Sequence, residues 1–128
     1  MRYLLDTDRI IDHLRKKNRL PPDIIEKGAA ISIISYGELL YGAEKSANNN
    51  RALTTVETFL NDLVITTLPL NESVMKRYAE LKARLEQKGQ KLDDFDLLIA
   101  ATALEHNLIL VTDNRRHFSR IPTLQLFP

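Results

Sequence analysis

Acidic residues stand at the ends of several apolar segments of this 128-residue chain, where their side chains could act together. Two carboxylates about 4 Å apart repel by roughly 4 kcal/mol at an effective dielectric constant of about 20. A hard divalent cation offsets this repulsion, and ligands that are all oxygen select Mg²⁺ or Mn²⁺. Such sites position phosphates and activate water. The acids concerned are Asp6, Asp8, Glu38, Asp93, Asp94, Asp96 and Asp113.

The segments that must position these acids alternate between strand-like and helix-like patterns. The strand-like runs are continuously apolar, which is typical of strands buried on both faces. The pattern predicts an α/β fold in a single domain, residues 1–128, with a mostly parallel central sheet of four to five strands and helices on both faces. The predicted strands cover residues 3–5, 29–34, 63–68, 108–112 and, at one edge, 124–126.

The topology of such a sheet predicts that the acids meet. In parallel α/β sheets the carboxyl ends of the strands share one edge, where ligands bind. Asp6, Glu38 and Asp113 each follow a predicted strand closely. A right-handed crossover brings the start of the apolar helix that Asp93 opens to the same edge, so Asp96 joins them.

Each acid also has an ordinary structural explanation when taken alone. Asp93 and Asp6 are natural N-caps, and Glu38 fits a capping box with Ser35. Helix capping does not explain Asp96 as well, because Asp93 already occupies the N-cap position. Pairing with a helix dipole, or an ordinary turn, accounts for the remaining acids, Asp8, Asp94 and Asp113.

Composition excludes several other chemistries. The chain has no cysteine, so thiolate catalysis and Cys-ligated zinc are absent, and the three histidines lack metal-site spacing. The formal net charge is +1, so any nucleic-acid surface must be local. Two basic clusters, residues 15–19 and 115–120, are either solvated surface or phosphate contacts. No signal peptide or membrane-spanning run is recognisable, which predicts a cytoplasmic protein with no membrane partner.

Four segments, in order, resemble the PIN domain family and, within it, the VapC-type toxins of bacterial toxin–antitoxin pairs. They are residues 4–8, 31–43, 96–101 and the closing stretch 110–114 with 118–122. The order and spacing of the four segments together carry the resemblance, since any one of them alone is a weak signal. The resemblance implies a three-layer PIN-like fold.

The resemblance also implies roles for particular residues. Asp6, Asp96 and Glu38 would hold Mg²⁺, with Mn²⁺ able to substitute. The family's fourth polar position falls on Asn114, with Asp113 just before it, so either side chain could face the metal. The residues implied to orient carboxylates or water, or to add a carboxylate, are Thr7, Asp8, Ser35 and Thr112.

The function implied is a metal-dependent endoribonuclease that cuts RNA through an activated water. Such toxins work as homodimers and are inhibited by a cognate VapB-like antitoxin. Two alternatives stay open from the sequence: a catalytically idle PIN-like module that binds RNA or a peptide, and a receiver-like or phosphatase-like Mg²⁺ protein. The second is disfavoured, because no lysine follows the strand predicted at residues 108–112.

Overall fold

The computed structural model describes residues 1–128 and is built on one sheet of four strands. All neighbouring strands pair in parallel, in the order β3-β2-β1-β4. Leu126 extends this sheet only by an isolated parallel bridge to Leu110, where an edge strand was predicted. The strands are β1 (Tyr3–Leu5), β2 (Ala29–Ser32), β3 (Thr66–Leu68) and β4 (Ile109–Val111).

Seven helices cover the two faces of the sheet, which confirms the predicted α/β architecture. Helices α1 to α4 pack on one face and α5 to α7 on the other. None of them combines the length and apolar character needed to cross a bilayer. The helices are α1 (Thr7–Leu14), α2 (Pro22–Lys27), α3 (Ile33–Lys45), α4 (Asn49–Asp62), α5 (Glu72–Gln87), α6 (Asp94–Glu105) and α7 (Arg115–Phe118).

Strands β1, β2 and β4 are almost wholly apolar because both of their faces are buried, whereas the edge strand β3 carries an exposed Thr66 and a half-buried Thr67. In β1, Leu4 packs with side chains of α5 and α6, whereas Tyr3 and Leu5 pack with side chains of α1 to α4. Side chains alternate between the faces of a strand, so a strand covered on both sides has no polar positions. Helix α6 is likewise buried along most of its length, which fixes its first turn against the carboxyl edge of the sheet.

The start of α3 differs from the sequence-based prediction. The strand predicted over residues 29–34 ends at Ser32, and the helix begins at Ile33. The side chain of Ser32 accepts a hydrogen bond from the backbone N–H of Ser35 at 3.0 Å, so Ser32 is the N-cap. The capping box predicted between Ser35 and Glu38 is therefore wrong, and Glu38 lies in the second turn of the helix.

Other boundaries shift for similar local reasons. Helix α4 begins at Asn49, because the side chain of Asn48 caps it through the N–H of Arg51. The strand predicted from residue 63 begins at Thr66, since Val64 has a positive φ of 52° just after α4. The second basic cluster, residues 115–120, contains the short helix α7.

Candidate active site

Asp6 lies at the carboxyl end of β1 and is almost fully buried, with 7% of its surface exposed. One carboxylate oxygen accepts a hydrogen bond from the backbone N–H of Thr7 at 2.9 Å, and the other accepts one from the hydroxyl of Thr112 at 2.7 Å. The Thr112 hydroxyl also accepts from the backbone N–H of Asn114 at 2.9 Å. Both carboxylate oxygens of Asp6 are thus fixed, one by the first residue of α1 and the other by the residue that follows β4.

Glu38 is held by the residue that follows Asp6. The Thr7 hydroxyl donates to Oε1 of Glu38 at 2.5 Å, which ties the start of α1 to the second turn of α3. Because Ser32, and not Ser35, caps α3, the Glu38 carboxylate makes no capping hydrogen bond at the start of the helix. It can therefore accept the hydrogen bond from Thr7. The roles implied for Thr7 and Thr112 as orienting residues agree with these contacts.

Asp96 projects from the first turn of α6 toward the same place. Burial, together with the nearby charges of Asp6, Asp93, Glu38 and Asp8, raises the pKa of its carboxyl to about 6. Burial also raises the pKa of Asp6, in part offset by the hydrogen bonds from Thr112 and Thr7. Like charges in a site of restricted solvation disfavour ionisation in this way. We call these five carboxylates the acidic cluster: Asp6, Asp8, Glu38, Asp93 and Asp96.

The neighbours Asp93 and Asp94 were both expected at this edge of the sheet, but the structure uses them differently. Asp93 precedes α6 but makes no capping hydrogen bond with its side chain, and its charge adds to the repulsion at Asp96. Asp94, expected among the converging acids, accepts hydrogen bonds from Tyr78 at 2.8 Å and from Lys82 at 2.9 Å. Those contacts lower the pKa of Asp94 and direct it toward α5, outside the acidic cluster.

Asp93 was interpreted mainly as an N-cap and was not among the predicted metal-binding or orienting residues, yet its charge acts on Asp96. Its spacing of three residues from Asp96 was an available signal, because such pairs share one face of a helix. Asp94 is two residues from Asp96, and residues at that spacing do not face each other.

The remaining predicted site residues lie nearby in less direct roles. Asp113 is exposed and its side chain makes no hydrogen bond, whereas the backbone of Asn114 braces Thr112. The hydroxyl of Ser35 is buried beside that of Ser32 at 3.5 Å and touches no carboxylate. Asp8 is exposed and acts on Asp6 and Asp96 through its charge.

No basic side chain neutralises the acidic cluster. The four ion pairs of the molecule lie elsewhere: Lys27–Asp23, Lys76–Glu72, Arg77–Glu105 and Lys82–Asp94. No three acidic or histidine side chains are close enough to coordinate one ion as they stand. The donor set nevertheless fits a hard divalent cation, because every donor is a carboxylate or hydroxyl oxygen and the repulsion among them is uncompensated.

Comparison with known proteins identifies the family to which this fold belongs. The family model described as PIN domain matches residues 3–124. This chain belongs to the PIN domain family. The match spans all four segments that carried the resemblance, and it includes every member of the acidic cluster. The predicted resemblance to PIN domains, and to VapC proteins among them, is confirmed by the relatives that follow.

The PIN domain is 32% identical to ribonuclease VapC2 of Haemophilus influenzae, over 98% of this chain and 96% of that protein. It is also 32% identical, with the same coverage, to the tRNA(fMet)-specific endonuclease VapC of Salmonella typhimurium. Among solved structures, VapBC2 from Rickettsia felis bound to a DNA fragment from their promoter matches with a TM-score of 0.86 and 32% identity. That match covers 99% of this chain and 98% of the other.

Proposed function

We propose that this PIN domain is a VapC-type toxin, an endoribonuclease that depends on Mg²⁺ and hydrolyses RNA phosphodiester bonds. The observation that carries the proposal is the acidic cluster, which collects carboxylates from separate segments at the carboxyl edge of the sheet without any basic partner. Two relatives at 32% identity are named ribonuclease VapC2 and tRNA(fMet)-specific endonuclease VapC, which supports the same reaction class.

The proposed roles follow from the contacts. Asp6, Asp96 and Glu38 would hold Mg²⁺ or Mn²⁺, and the ion supplies positive charge to the scissile phosphate and makes water a stronger acid. Thr112 holds one oxygen of Asp6, and Thr7 holds one oxygen of Glu38, so both carboxylates keep a fixed direction. Fixed ligands lower the cost of assembling the site, and partners of this kind contribute roughly 10- to 100-fold to metal affinity or activity.

Two further acids would set the electrostatic character of the site without holding the ion. Asp8 and Asp93 both raise the pKa of Asp96 through their charges. Their negative potential favours a divalent cation over an empty site, and it repels RNA phosphates until a cation is bound. The proposal leaves Asp113 and Asn114 as alternatives for a fourth polar contact.

A VapB-like antitoxin is the proposed protein partner. Three solved neighbours at 32–33% identity are described as VapBC assemblies, from Rickettsia felis, Salmonella typhimurium and nontypeable Haemophilus influenzae. The homodimer and the cytoplasmic location are proposed from the family resemblance. Light scattering of the purified chain tests the dimer, and a monomer at micromolar concentration would contradict it.

The deciding experiment compares two neighbouring acids that the structure separates. Total bacterial RNA is incubated with the wild type, Asp96→Asn or Asp94→Asn, in Mg²⁺, in Mn²⁺ and in EDTA. We expect cleavage by the wild type in either metal, none in EDTA, and a loss only in Asp96→Asn. Asp94→Asn is the matched control, because its carboxylate is paired with Lys82 outside the acidic cluster.

A second readout separates metal binding from cleavage. Mn²⁺ should raise the melting temperature of the wild type and of Asp94→Asn, but much less that of Asp96→Asn, because ligands that bind only the folded state stabilise it. Equal cleavage by Asp96→Asn would contradict the assignment of Asp96. Metal binding without any cleavage by the wild type would contradict the nuclease and favour the idle binding module.

A further inference from the structure

A strongly basic loop follows α1 and has no role in the proposed chemistry. We call residues 15–19 the basic loop. Four of its five residues are cationic, namely Arg15, Lys16, Lys17 and Arg19, and all five are exposed. None of these cations takes part in an ion pair. In a chain whose formal net charge is only +1, the loop is a concentrated local field.

Side chains of α1 hold the backbone of the basic loop in a defined shape. Arg9 is buried, with 6% of its surface exposed, and its guanidinium donates to the carbonyl oxygens of Asn18 and, at 2.9 Å, of Arg19. His13 Nδ1 accepts a hydrogen bond from the backbone N–H of Leu20 at 2.9 Å. Burying a guanidinium that has no carboxylate partner costs free energy. The burial of Arg9 therefore indicates that the shape of the loop is maintained for a function.

The second basic cluster, residues 115–120, is used differently. Arg115 donates to the carbonyl oxygen of Phe127 at 2.5 Å, and Arg120 donates to that of Lys91 at 2.7 Å. Two of its three arginines therefore hold the fold together. In the basic loop, by contrast, no cationic side chain has an intramolecular hydrogen bond, so all four charges are free for an external anion.

One residue of the basic loop, Arg15, shares a cavity of about 300 Å³ with one residue of the acidic cluster, Glu38. The rest of that cavity is lined mostly by apolar residues of α1, α3 and α4. The only nearby carboxylate on α1 is Asp12, which is half-buried and accepts loop N–H groups through its backbone oxygen. A polyanion that reaches Glu38 would therefore also lie close to the unpaired cation of Arg15.

We propose that the basic loop binds the sugar–phosphate backbone of the RNA substrate at a point away from the scissile bond. The inference rests on the proposed nuclease function and names the surface that holds its substrate. Phosphate contacts of this kind supply affinity and orientation without reading sequence. RNA is favoured over an acidic protein because Arg15 lines the same cavity as Glu38, which places the loop within reach of a strand held at the acidic cluster.

The test uses two triple variants with equal changes in charge. Arg15→Gln, Lys16→Gln and Lys17→Gln are combined in the loop variant, and Lys76→Gln, Arg84→Gln and Lys88→Gln are combined on the exposed face of α5 as the control. Binding of a short fluorescein-labelled single-stranded RNA is measured by anisotropy in EDTA, over a series of salt concentrations. Poly-glutamate is measured as a second probe, and melting temperatures verify folding.

We expect the loop variant to bind RNA at least about 10-fold more weakly, with the slope of log affinity against log salt reduced by about 2, since each single-strand contact contributes about 0.7. The control should bind like the wild type. Equal losses in both variants, no loss in the loop variant, or a loss of poly-glutamate binding alone would each overturn the inference. Should the triple variant fold poorly, Arg15→Gln and Lys17→Gln alone should each weaken binding about five-fold.

Measurements of RNA cleavage in Mg²⁺ distinguish failure of this inference from failure of the proposed nuclease function. The loop variant should raise KM while leaving kcat within about two-fold, because distant phosphate contacts bind ground state and transition state alike. Loop-dependent RNA binding without wild-type cleavage would contradict the nuclease alone. Intact cleavage with binding that does not depend on the loop would contradict this inference alone.

Discussion

The acidic cluster and the basic loop are both groups of like charge, but the protein holds them in opposite ways. In the acidic cluster the charged side chains themselves are fixed, as when Thr112 and Thr7 hold the carboxylates of Asp6 and Glu38. In the basic loop the side chains are free in solvent, and the backbone beneath them is fixed by Arg9 and His13.

This difference matches what each region is proposed to bind. A small hard cation requires ligands in a defined geometry, so individual oxygens must be oriented and partly desolvated. An RNA backbone is a flexible line of phosphates that responds mainly to the local field, so mobile cations on a fixed loop suffice. The predictions below test the two regions against each other.

Asp6→Asn should give the largest effect on activity. Its carboxylate is the most buried of the acidic cluster, so its loss should exceed the roughly 100-fold upper range for orienting partners. Single-turnover cleavage in Mg²⁺ measures the effect, with Asp62→Asn at the end of α4 as an exposed acidic control. Cleavage by Asp6→Asn within 10-fold of the wild type would show that Asp6 is not a ligand.

Thr112→Val should lower cleavage by roughly 10- to 100-fold, because it removes the hydroxyl that holds Asp6 and leaves a buried carboxylate oxygen unpaired. Thr112→Ser keeps the hydroxyl and should recover most of the rate. The two variants are compared by cleavage and by Mn²⁺ titration. Equal loss in both would mean that the methyl group, and not the hydroxyl, matters at this position.

Arg9→Met tests the support of the basic loop and should act on stability. It removes two charge-assisted hydrogen bonds to backbone carbonyl oxygens and should lower the free energy of unfolding by about 2 kcal/mol. Urea denaturation measures the change, with Lys17→Met as a control that alters an exposed cation of the same loop. A stability equal to that of the control would show that Arg9 does not support the loop.

Asp96→Asn should stabilise the metal-free protein while it abolishes cleavage. A carboxyl whose pKa is raised from 3.8 to about 6 contributes stability below pH 4 that is lost as the pH rises through 6. Between pH 4 and pH 7 the free energy of unfolding of Asp96→Asn should therefore rise relative to that of the wild type. The difference should reach about 1 kcal/mol once solvent screening is taken into account. Melting curves in EDTA test this, and Mg²⁺ should narrow or reverse the difference. A difference in stability between the variant and the wild type that does not vary with pH would contradict repulsion between Asp96 and the other carboxylates.

His13→Gln should show the smallest effect, with the opposite dependence on pH. Burial lowers the pKa of His13, aided by the charges of Arg19 and Arg9. The neutral ring therefore contributes stability above its ordinary value of 6.5 that is lost as the pH falls below it. The advantage of the wild type over His13→Gln should shrink from pH 7 to pH 5. A constant advantage would indicate that the Leu20 contact does not depend on a neutral imidazole.

Local sequence pattern was sufficient for most of the architecture. Continuous apolar runs indicated β1, β2 and β4, whereas the run over residues 63–68 indicated β3 with its start three residues too early. Parallel topology then predicted that Asp6, Glu38 and Asp96 would come to one edge, and the electrostatic coupling among them agrees with that prediction. Helix boundaries were less predictable where two candidate caps were close together, because Ser32 and Ser35 are equally good caps by residue type.

The sequence by itself determined which chemical groups were present and which edge of the sheet they would approach. Only the tertiary structure decided how they are used. Thr112 and Asp6 are 106 positions apart, so no local pattern predicts their hydrogen bond. Asp93 and Asp94 are adjacent and of one type, yet only the second meets Tyr78 and Lys82 of α5. Helix packing selects between them, because neighbouring residues on a helix point in different directions and only packing fixes which one faces a partner.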